Sequence, residues 1–159
     1  MERKSLLSKF IMKLEAQVKS TNLYEKFWGF LTKKGNKFKS KKILDKAFLL
    51  VFEKTAFSKE SALINLFSRL NSFVEVKRVR VRRRFVLVPF PIRLKRRSYL
   101  VVKWIIQATK KGGKKISFST KLAKEMINVL VESNSKSKSL RKLNFSKALA
   151  NRSNIHFRW

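Results

Sequence analysis

The sequence predicts a mainly α-helical single domain of about six helices that carries one protruding basic β-hairpin. Apolar residues recur at helical spacing in several segments separated by polar loops, which favours short amphipathic helices. Residues 74–97 break this pattern, because valines alternate with basic residues and flank a run of arginines. β-Branched residues on two limbs with a polar tip between them indicate a hairpin at about 74–88. The sequence shows neither an internal repeat nor a linker that would divide the domain.

The charge of the chain points to a polyanionic partner. Its 159 residues include 40 Lys and Arg against 9 Asp and Glu, for a net charge of +31. A domain of this length buries about 70% of its unfolded surface, and 14 phenylalanines supply material for a core. Self-repulsion opposes the compact state unless a polyanion neutralises it, and nucleic-acid phosphates release counterions when basic residues bind them.

Several classes of site are excluded or disfavoured by the residue types present. The chain has no cysteine, which rules out disulfides and thiolate metal sites. Its single histidine, His156, is expected to pack or form a hydrogen bond. The few acids are scattered, and the pair Gly112 and Gly113 lacks the strand-to-helix context of a phosphate loop. With no apolar run of about 20 residues either, we predict no catalytic residues, metal ligands, cofactor or membrane span.

The domain is predicted to begin after a basic N-terminal helix or arm, residues 1–21, and to occupy residues 22–159. Its first helix is expected to start at Asn22 and to be stopped by Gly35, and further helices are expected at 40–53, 58–70, 98–111, 119–132 and from 140 onward. Asn22 and Ser58 are candidate helix caps, and Trp104 is assigned to the core. Two stretches are predicted as loops, a basic one around residues 33–42 and a polar one at 133–139.

The distribution of acids suggests which basic residues are available to a partner. No Asp or Glu lies between Glu75 and Glu125, or after Glu132. We therefore expect the basic residues of these segments to lack local ion-pair partners. The basic loop is also a candidate, although a solvated charge run is the alternative for that loop taken alone.

Three kinds of binding protein fit such a chain. A structural RNA-binding protein has dispersed basic faces, a protruding basic element and few acids, all of which are present. A DNA-compacting nucleoid protein would share the charge. The sequence has no zinc-binding pattern or leucine zipper, but it does not exclude a helix-turn-helix motif. A membrane-surface protein would concentrate basic and aromatic residues on one long amphipathic helix, which only the N-terminal segment resembles.

RNA is the favoured partner, and the predicted contacts are the basic residues of the loop, the hairpin, the segments that follow it and the C-terminus. These residues are Lys33, Lys34, Lys37, Lys39, Lys41, Lys42, Lys77, Arg78, Arg80, Arg82, Arg83, Arg84, Arg93, Arg96, Arg97, Lys103, Lys110, Lys111, Lys114, Lys115, Arg152 and Arg158.

Ordered motifs over about residues 22–159 resemble the small-ribosomal-subunit protein seven family. The strand entry is V-E-V-K, and the run after the hairpin reads V-P-x-x-x-R-x-x-R-R-x-x-L-x-x-x-W-I. The ending is N-x-x-x-x-H-F-R-W. The matching positions are Phe27, Leu31, Gly35, Lys37, Ile43, Ala47, Val74, Glu75, Val76, Lys77, Val88, Pro89, Arg93, Arg96, Arg97, Leu100, Trp104, Ile105, Asn151, His156, Arg158 and Trp159.

The resemblance implies a noncatalytic helical protein whose hairpin protrudes. It implies that the protein binds the 3′ major domain of small-subunit ribosomal RNA and nucleates assembly of the subunit head. The hairpin would reach toward messenger RNA and exit-site transfer RNA. Head proteins nine and thirteen and platform protein eleven would be neighbours.

The chain departs from the family at the hairpin turn and at its end. Arg82 and Arg83 stand where the family usually has Gly-Gly, so we expect a wider or shifted turn and a more basic tip. Many bacterial members continue past the R-W motif, whereas this sequence stops at Trp159. The ending resembles organelle-encoded members and predicts the mitochondrial matrix, within the mitoribosome small subunit. A plastid or the bacterial cytoplasm is the alternative.

Overall fold

The computed structural model describes residues 23–110, 116–131 and 134–158, and the predicted N-terminal arm lies outside them. The described chain forms six α-helices, one two-stranded antiparallel sheet and a 3-10 helix, which confirms the predicted fold class. In chain order these are α1 (Leu23–Leu31), α2 (Lys37–Thr55), α3 (Lys59–Leu70), β1 (Val74–Val81), β2 (Arg84–Pro91), α4 (Leu94–Lys110), α5 (Phe118–Leu130), α6 (Lys136–Ala150) and the 3-10 helix Arg152–Phe157. No helix of this described part is long and apolar enough to cross a membrane.

The main core lies between helices α1 to α5. The predicted apolar stripes face inward, as Phe27, Leu66, Ile105 and Leu122 show by their complete burial. Helix α5 packs against α2, α3 and α4, so residues far apart in sequence share one core. This core supplies the hydrophobic stabilisation that a chain of such high charge requires.

Two predicted loops are instead mostly helical, because local caps start helices inside them. In the basic stretch, the Asn36 side chain accepts a hydrogen bond from the Lys39 backbone N–H at 3.3 Å, so α2 begins at Lys37. In the polar stretch, Ser135 caps α6 through the Lys138 N–H at 3.2 Å. Side-chain capping of this kind satisfies an otherwise unpaired helical N–H. The predicted cap Ser58 is confirmed by its bond from the Ser61 N–H.

Helix α6 also starts early because a buried acid from α5 holds its first turn. Glu125, only 8% exposed, accepts hydrogen bonds from the Ser137 backbone N–H at 2.9 Å and from the Ser137 hydroxyl at 2.7 Å. A carboxylate at a helix N-terminus is favoured by the unpaired N–H groups and by the helix dipole. The contact joins two helices that the sequence separates by a polar linker.

The hairpin turn is tight, which corrects the expectation of a wider or shifted one. Val81 pairs with Arg84, so the turn consists of Arg82 and Arg83 alone. Arg82 adopts a φ of 54°, the left-handed region that costs a residue with a Cβ about 1–2 kcal/mol. The turn therefore keeps a two-residue length without glycine, at the expense of backbone strain in the first arginine.

The returning strand runs to Pro91, three residues beyond the predicted end, and includes both prolines. Every second residue of β2 exchanges backbone hydrogen bonds with β1. Leu87, Pro89 and Pro91 lie between these residues, and their backbone groups point away from β1. The prolines thus sit where no N–H is needed for pairing. The carbonyls of Leu87 and Pro89 accept hydrogen bonds from Asn154 Nδ2 at 3.1 Å and Arg158 Nε at 2.5 Å. The C-terminal segment therefore covers the outer edge of β2.

A second, smaller core anchors the hairpin to the helices. Trp104, 7% exposed, packs with Ile92 and Leu100, and Leu140 of α6 closes the cluster. This placement confirms Trp104 as a core residue. Helix α6 also binds the start of β1, because Asn144 Nδ2 donates to the Val74 carbonyl at 2.7 Å.

Candidate nucleic-acid interface

The hairpin tip is a cluster of exposed arginines beyond a buried base. Exposure rises along β2 from Val88, which is fully buried, to Phe85, which is 69% exposed. The five predicted arginines of this region, Arg78, Arg80, Arg82, Arg83 and Arg84, are all exposed. Arg80 Nε donates to the Arg82 carbonyl at 3.3 Å and so lies against the turn. The tip presents these cations away from the core.

At the base of the hairpin, predicted residues converge on one carboxylate. Arg96 donates from Nε to Glu75 Oε2 at 3.0 Å and from Nη2 to Oε1 at 2.7 Å, a two-bond ion pair. The hydrogen bond from Arg96, with the nearby charges of Lys77 and Lys103, lowers the pKa of Glu75 against the effect of its burial. Residues on both sides of the pair line a cleft of about 470 Å³, which we call the base cleft: Glu75, Lys77, Phe90, Pro91, Ile92, Arg93 and Arg96.

The expectation that basic residues after Glu75 lack ion-pair partners is wrong for Arg96, and Arg97 is held by other contacts. Arg96 pairs with Glu75 and lies 4.6 Å from the centre of the Tyr99 ring. Arg97 donates from Nε to the Ile92 carbonyl at 2.9 Å and lies 4.3 Å from the Phe73 ring centre. Helix α4 begins at Leu94 rather than at 98, which places both arginines in its first turn. A guanidinium has five N–H donors, so these contacts fix each group without exhausting it.

The lysines before and within α2 form a second basic surface. Lys33 and Lys34 lie in a short loop where Lys34 (φ 51°) and Gly35 (φ 75°) turn the chain. Trp28 Nε1 donates to the Lys37 carbonyl at 2.9 Å and ties α1 to the start of α2. All predicted lysines here are exposed: Lys33, Lys34, Lys37, Lys39, Lys41 and Lys42.

Three helices begin with cations instead of acids. The first turns of α2, α4 and α6 contain no Asp or Glu and carry Lys or Arg. Helix N-termini bear a partial positive charge, so cations there are unfavourable by about 0.3–1 kcal/mol each at low salt. A phosphate is favoured near such a helix start, because the helix dipole and the side-chain cations both attract it. At α6 the Glu125 carboxylate already occupies the first turn.

The remaining predicted residues are dispersed. Lys103 is half-buried beside the Tyr99 ring, and Lys110 is exposed at the end of α4. Arg152 and Arg158 are both exposed, and Arg158 also donates a hydrogen bond to the Pro89 carbonyl of β2. Lys111, Lys114 and Lys115 lie outside the described residues.

Aromatic residues beside these cations were missed by the sequence-based prediction. Phe85 is exposed at the tip, Phe90 lines the base cleft, and Tyr99 lies under Arg96. Aromatic residues interleaved with Lys and Arg were the available signal.

His156 is confirmed in a hydrogen bond, with Nδ1 2.9 Å from the Ser153 carbonyl oxygen.

Three acids of the described chain, Asp45, Glu75 and Glu125, make structural contacts. Asp45 accepts hydrogen bonds from Tyr24 at 2.8 Å and from Lys59 at 2.9 Å. Burial, together with the bond to Asp45, raises the pKa of Tyr24 to about 12. Glu125 holds α6, and Glu75 holds Arg96. Within residues 23–110, 116–131 and 134–158, no group of three or more acids or histidines could hold a metal ion.

Comparison with known proteins supplies the family. The sequence model described as Ribosomal protein S7p/S5e matches residues 2–152. The chain belongs to this family. The S7p/S5e match extends through the N-terminal segment, where the motif resemblance did not reach, and ends before the R-W motif.

A bacterial relative agrees with this assignment. The chain is 31% identical over 142 residues to the small ribosomal subunit protein uS7 of Shewanella amazonensis (strain ATCC BAA-1098 / SB2B). The alignment covers 88% of each chain. Membership in the S7p/S5e family makes this chain a ribosomal protein, and the basic surfaces described above are those of a ribosomal protein.

Proposed function

We propose that this ribosomal protein is a constituent of the small subunit and binds the 3′ major domain of the small-subunit ribosomal RNA. The observation that carries the proposal is the placement of exposed cations at the hairpin tip and at helix N-termini. Both arrangements raise the electrostatic energy of the free protein, and phosphates would lower it. The similarity to a small-subunit protein supports the choice of RNA over DNA.

Recognition is proposed to depend on RNA shape and backbone. Lys and Arg contacts to phosphates position a protein on RNA without reading its sequence. The basic surfaces lie on separate elements, namely the hairpin tip, the base cleft and the start of α2. A folded RNA domain whose backbone surrounds the protein would engage all three.

We extend the proposal to the protein's place in the subunit. Binding would nucleate head assembly, and the exposed tip would reach toward messenger RNA and exit-site transfer RNA. Proteins nine, thirteen and eleven are the proposed protein neighbours. Exposed apolar side chains at the C-terminal end, Leu143, Phe145 and Leu149, support a protein contact there.

The proposed role is noncatalytic. General acid–base or metal chemistry requires polar groups that converge on a substrate. Asp45, Glu75 and Glu125 instead bind side chains or backbone groups of neighbouring helices. Their contacts account for these carboxylates without a reaction.

The salt dependence of RNA affinity tests the proposal. The probe is a transcript of the 3′ major domain, bound to the full chain at several salt concentrations. We expect simultaneous Arg82→Ala, Arg83→Ala and Arg84→Ala changes to flatten the slope of log K against log salt by up to about one for each lost phosphate contact. The matched control replaces three other exposed cations, Lys46, Lys54 and Lys124, with Ala. An unchanged slope in the arginine variant, or equal losses in both variants, would contradict a phosphate-binding tip.

Sedimentation of native extract tests the cellular assignment. Co-migration with the small ribosomal subunit supports the proposal, whereas a nucleoid fraction supports the DNA-binding alternative. The mitochondrial matrix is proposed from the likeness of the C-terminal sequence to organelle-encoded members. Separation of organelles before sedimentation would distinguish this location from a plastid or bacterial one.

A further inference from the structure

The base cleft differs from the other basic surfaces because it combines a ring, cations and a carboxylate in one concave site. Its volume of about 470 Å³ falls within the range of pockets that hold small ligands, roughly 300–1,000 Å³. The floor includes Ile92, which is buried in the second core, so the site rests on rigid structure. The rim includes the exposed Lys77 and Arg93.

Phe90 gives the cleft a surface for stacking. It lies opposite Glu75 in the sheet, and Lys77 Nζ stands 5.5 Å from the centre of its ring. An exposed cation–ring contact is worth only about 0.5–1 kcal/mol, so Lys77 can leave the ring for a phosphate. Stacking of a nucleic-acid base on an aromatic side chain is worth about 1–3 kcal/mol.

Glu75 determines how a nucleotide would be oriented in the cleft. Two hydrogen bonds to Arg96 hold its carboxylate, which remains an acceptor with unused lone pairs. A carboxylate repels phosphate but accepts hydrogen bonds from base amino groups or a ribose 2′-hydroxyl. A nucleotide would therefore direct its phosphate to the cationic rim and its base or sugar donors toward Glu75.

We propose that the base cleft binds one unstacked nucleotide of single-stranded RNA. The base stacks on Phe90, a base or sugar donor meets Glu75, and the phosphate is held by Lys77 and Arg93. This inference rests on the proposed RNA-binding function and deepens it, because it assigns a single-stranded element to one site. A duplex keeps its bases stacked and would gain nothing from Phe90.

The test compares a uridine octanucleotide with a 16-base-pair RNA duplex, both fluorescein-labelled, in anisotropy titrations with the full chain. We expect Phe90→Leu to weaken octanucleotide binding about tenfold, within the range for loss of one stacked base, and duplex binding less than about twofold. Phe52→Leu, at a ring 57% exposed on α2 outside the cleft, is the matched control and should change neither affinity. Arg93→Ala should reduce the octanucleotide salt slope by about 0.7, the value for one phosphate contact on a single strand.

The outcomes separate the cleft from the general function. If the unsubstituted chain binds neither these RNAs nor the 3′ major domain transcript, the proposed function fails; if it binds the transcript alone, only the nucleotide site is overturned. If it binds both and Phe90→Leu weakens them equally or not at all, the nucleotide site is overturned while RNA binding stands. Should Phe90→Leu fail to fold, as circular dichroism would reveal, ultraviolet crosslinking of the octanucleotide to the unsubstituted chain decides: a crosslink in the peptide containing Phe90 supports the site, and its absence overturns it. A labelled glutamate octapeptide that binds with the same dependence on Phe90 would overturn the nucleotide assignment in favour of an acidic peptide.

Discussion

The tip and the base of the hairpin use the same residue types in opposite ways. At the tip, exposed arginines flank a strained turn, with Arg82 at φ 54°. At the base, Arg96 and Arg97 are fixed by Glu75, by the Ile92 carbonyl and by aromatic rings. The difference teaches that positive charge alone does not describe a basic surface. Contacts within the protein fix the orientation of Arg96 and Arg97 at the base. The arginines at the tip are exposed, and a bound partner would have to fix them.

The largest effect should come from the core beneath the base. Trp104→Ala should reduce the free energy of unfolding by about 3–5 kcal/mol, because it removes a buried ring from a small cluster. Phe85→Ala at the tip is the contrast, since a 69% exposed ring should contribute less than about 0.5 kcal/mol. Urea denaturation measures both. Equal losses would remove the distinction between a packed base and a free tip.

A glycine substitution in the hairpin turn should increase stability. Arg82→Gly should raise the free energy of unfolding by about 0.5–1 kcal/mol, because glycine adopts positive φ without strain from a Cβ. Arg83→Gly removes the same charge at a position without positive φ and should be neutral or destabilising. Thermal denaturation of the two variants at equal salt makes the comparison. A gain for both would indicate relief of charge repulsion instead of backbone strain.

The ion pair at the base should give the smallest effect, and a pH-dependent one. The pKa of Glu75 is lower in the folded protein than its ordinary value of 4.5, chiefly because Arg96 donates to it. The stabilisation is therefore complete above that ordinary pKa and is lost as pH falls through the lower folded value. At pH 7, Glu75→Gln should cost about 0.2–1 kcal/mol, since Arg96 is partly exposed to solvent.

Denaturant titrations of Glu75→Gln and the unsubstituted chain at pH 7 and pH 3 measure this difference. It should shrink as the pH falls below 4.5 and vanish once the carboxyl group is protonated in both the folded and the unfolded chain. Glu53→Gln, at an exposed acid on α2, is the control for net charge. A difference that grows toward low pH would contradict the ion-pair interpretation.

Contacts between distant residues account for two departures of the structure from the sequence-based prediction. The polar stretch at 133–139 has the composition of a loop, yet Glu125 fixes Ser137 and starts α6 within it. Arg96 lacks an acidic neighbour in its own segment, but the fold places it against Glu75, 21 residues earlier. Periodicity and composition carry no information about either pairing.

Charge, apolar period and alternation in the sequence by themselves determined the helical class, the hairpin and the burial of Trp104, and they led to the proposal of an anionic partner. These follow from local rules, since side-chain spacing fixes which face of an element can be buried. The tertiary structure alone decided which cations are fixed and which are free, and it gathered Phe90, Glu75 and Arg93 into one cleft. The shape of this cleft depends on the position of β2 relative to α4. Packing of the second core around Trp104 fixes that position.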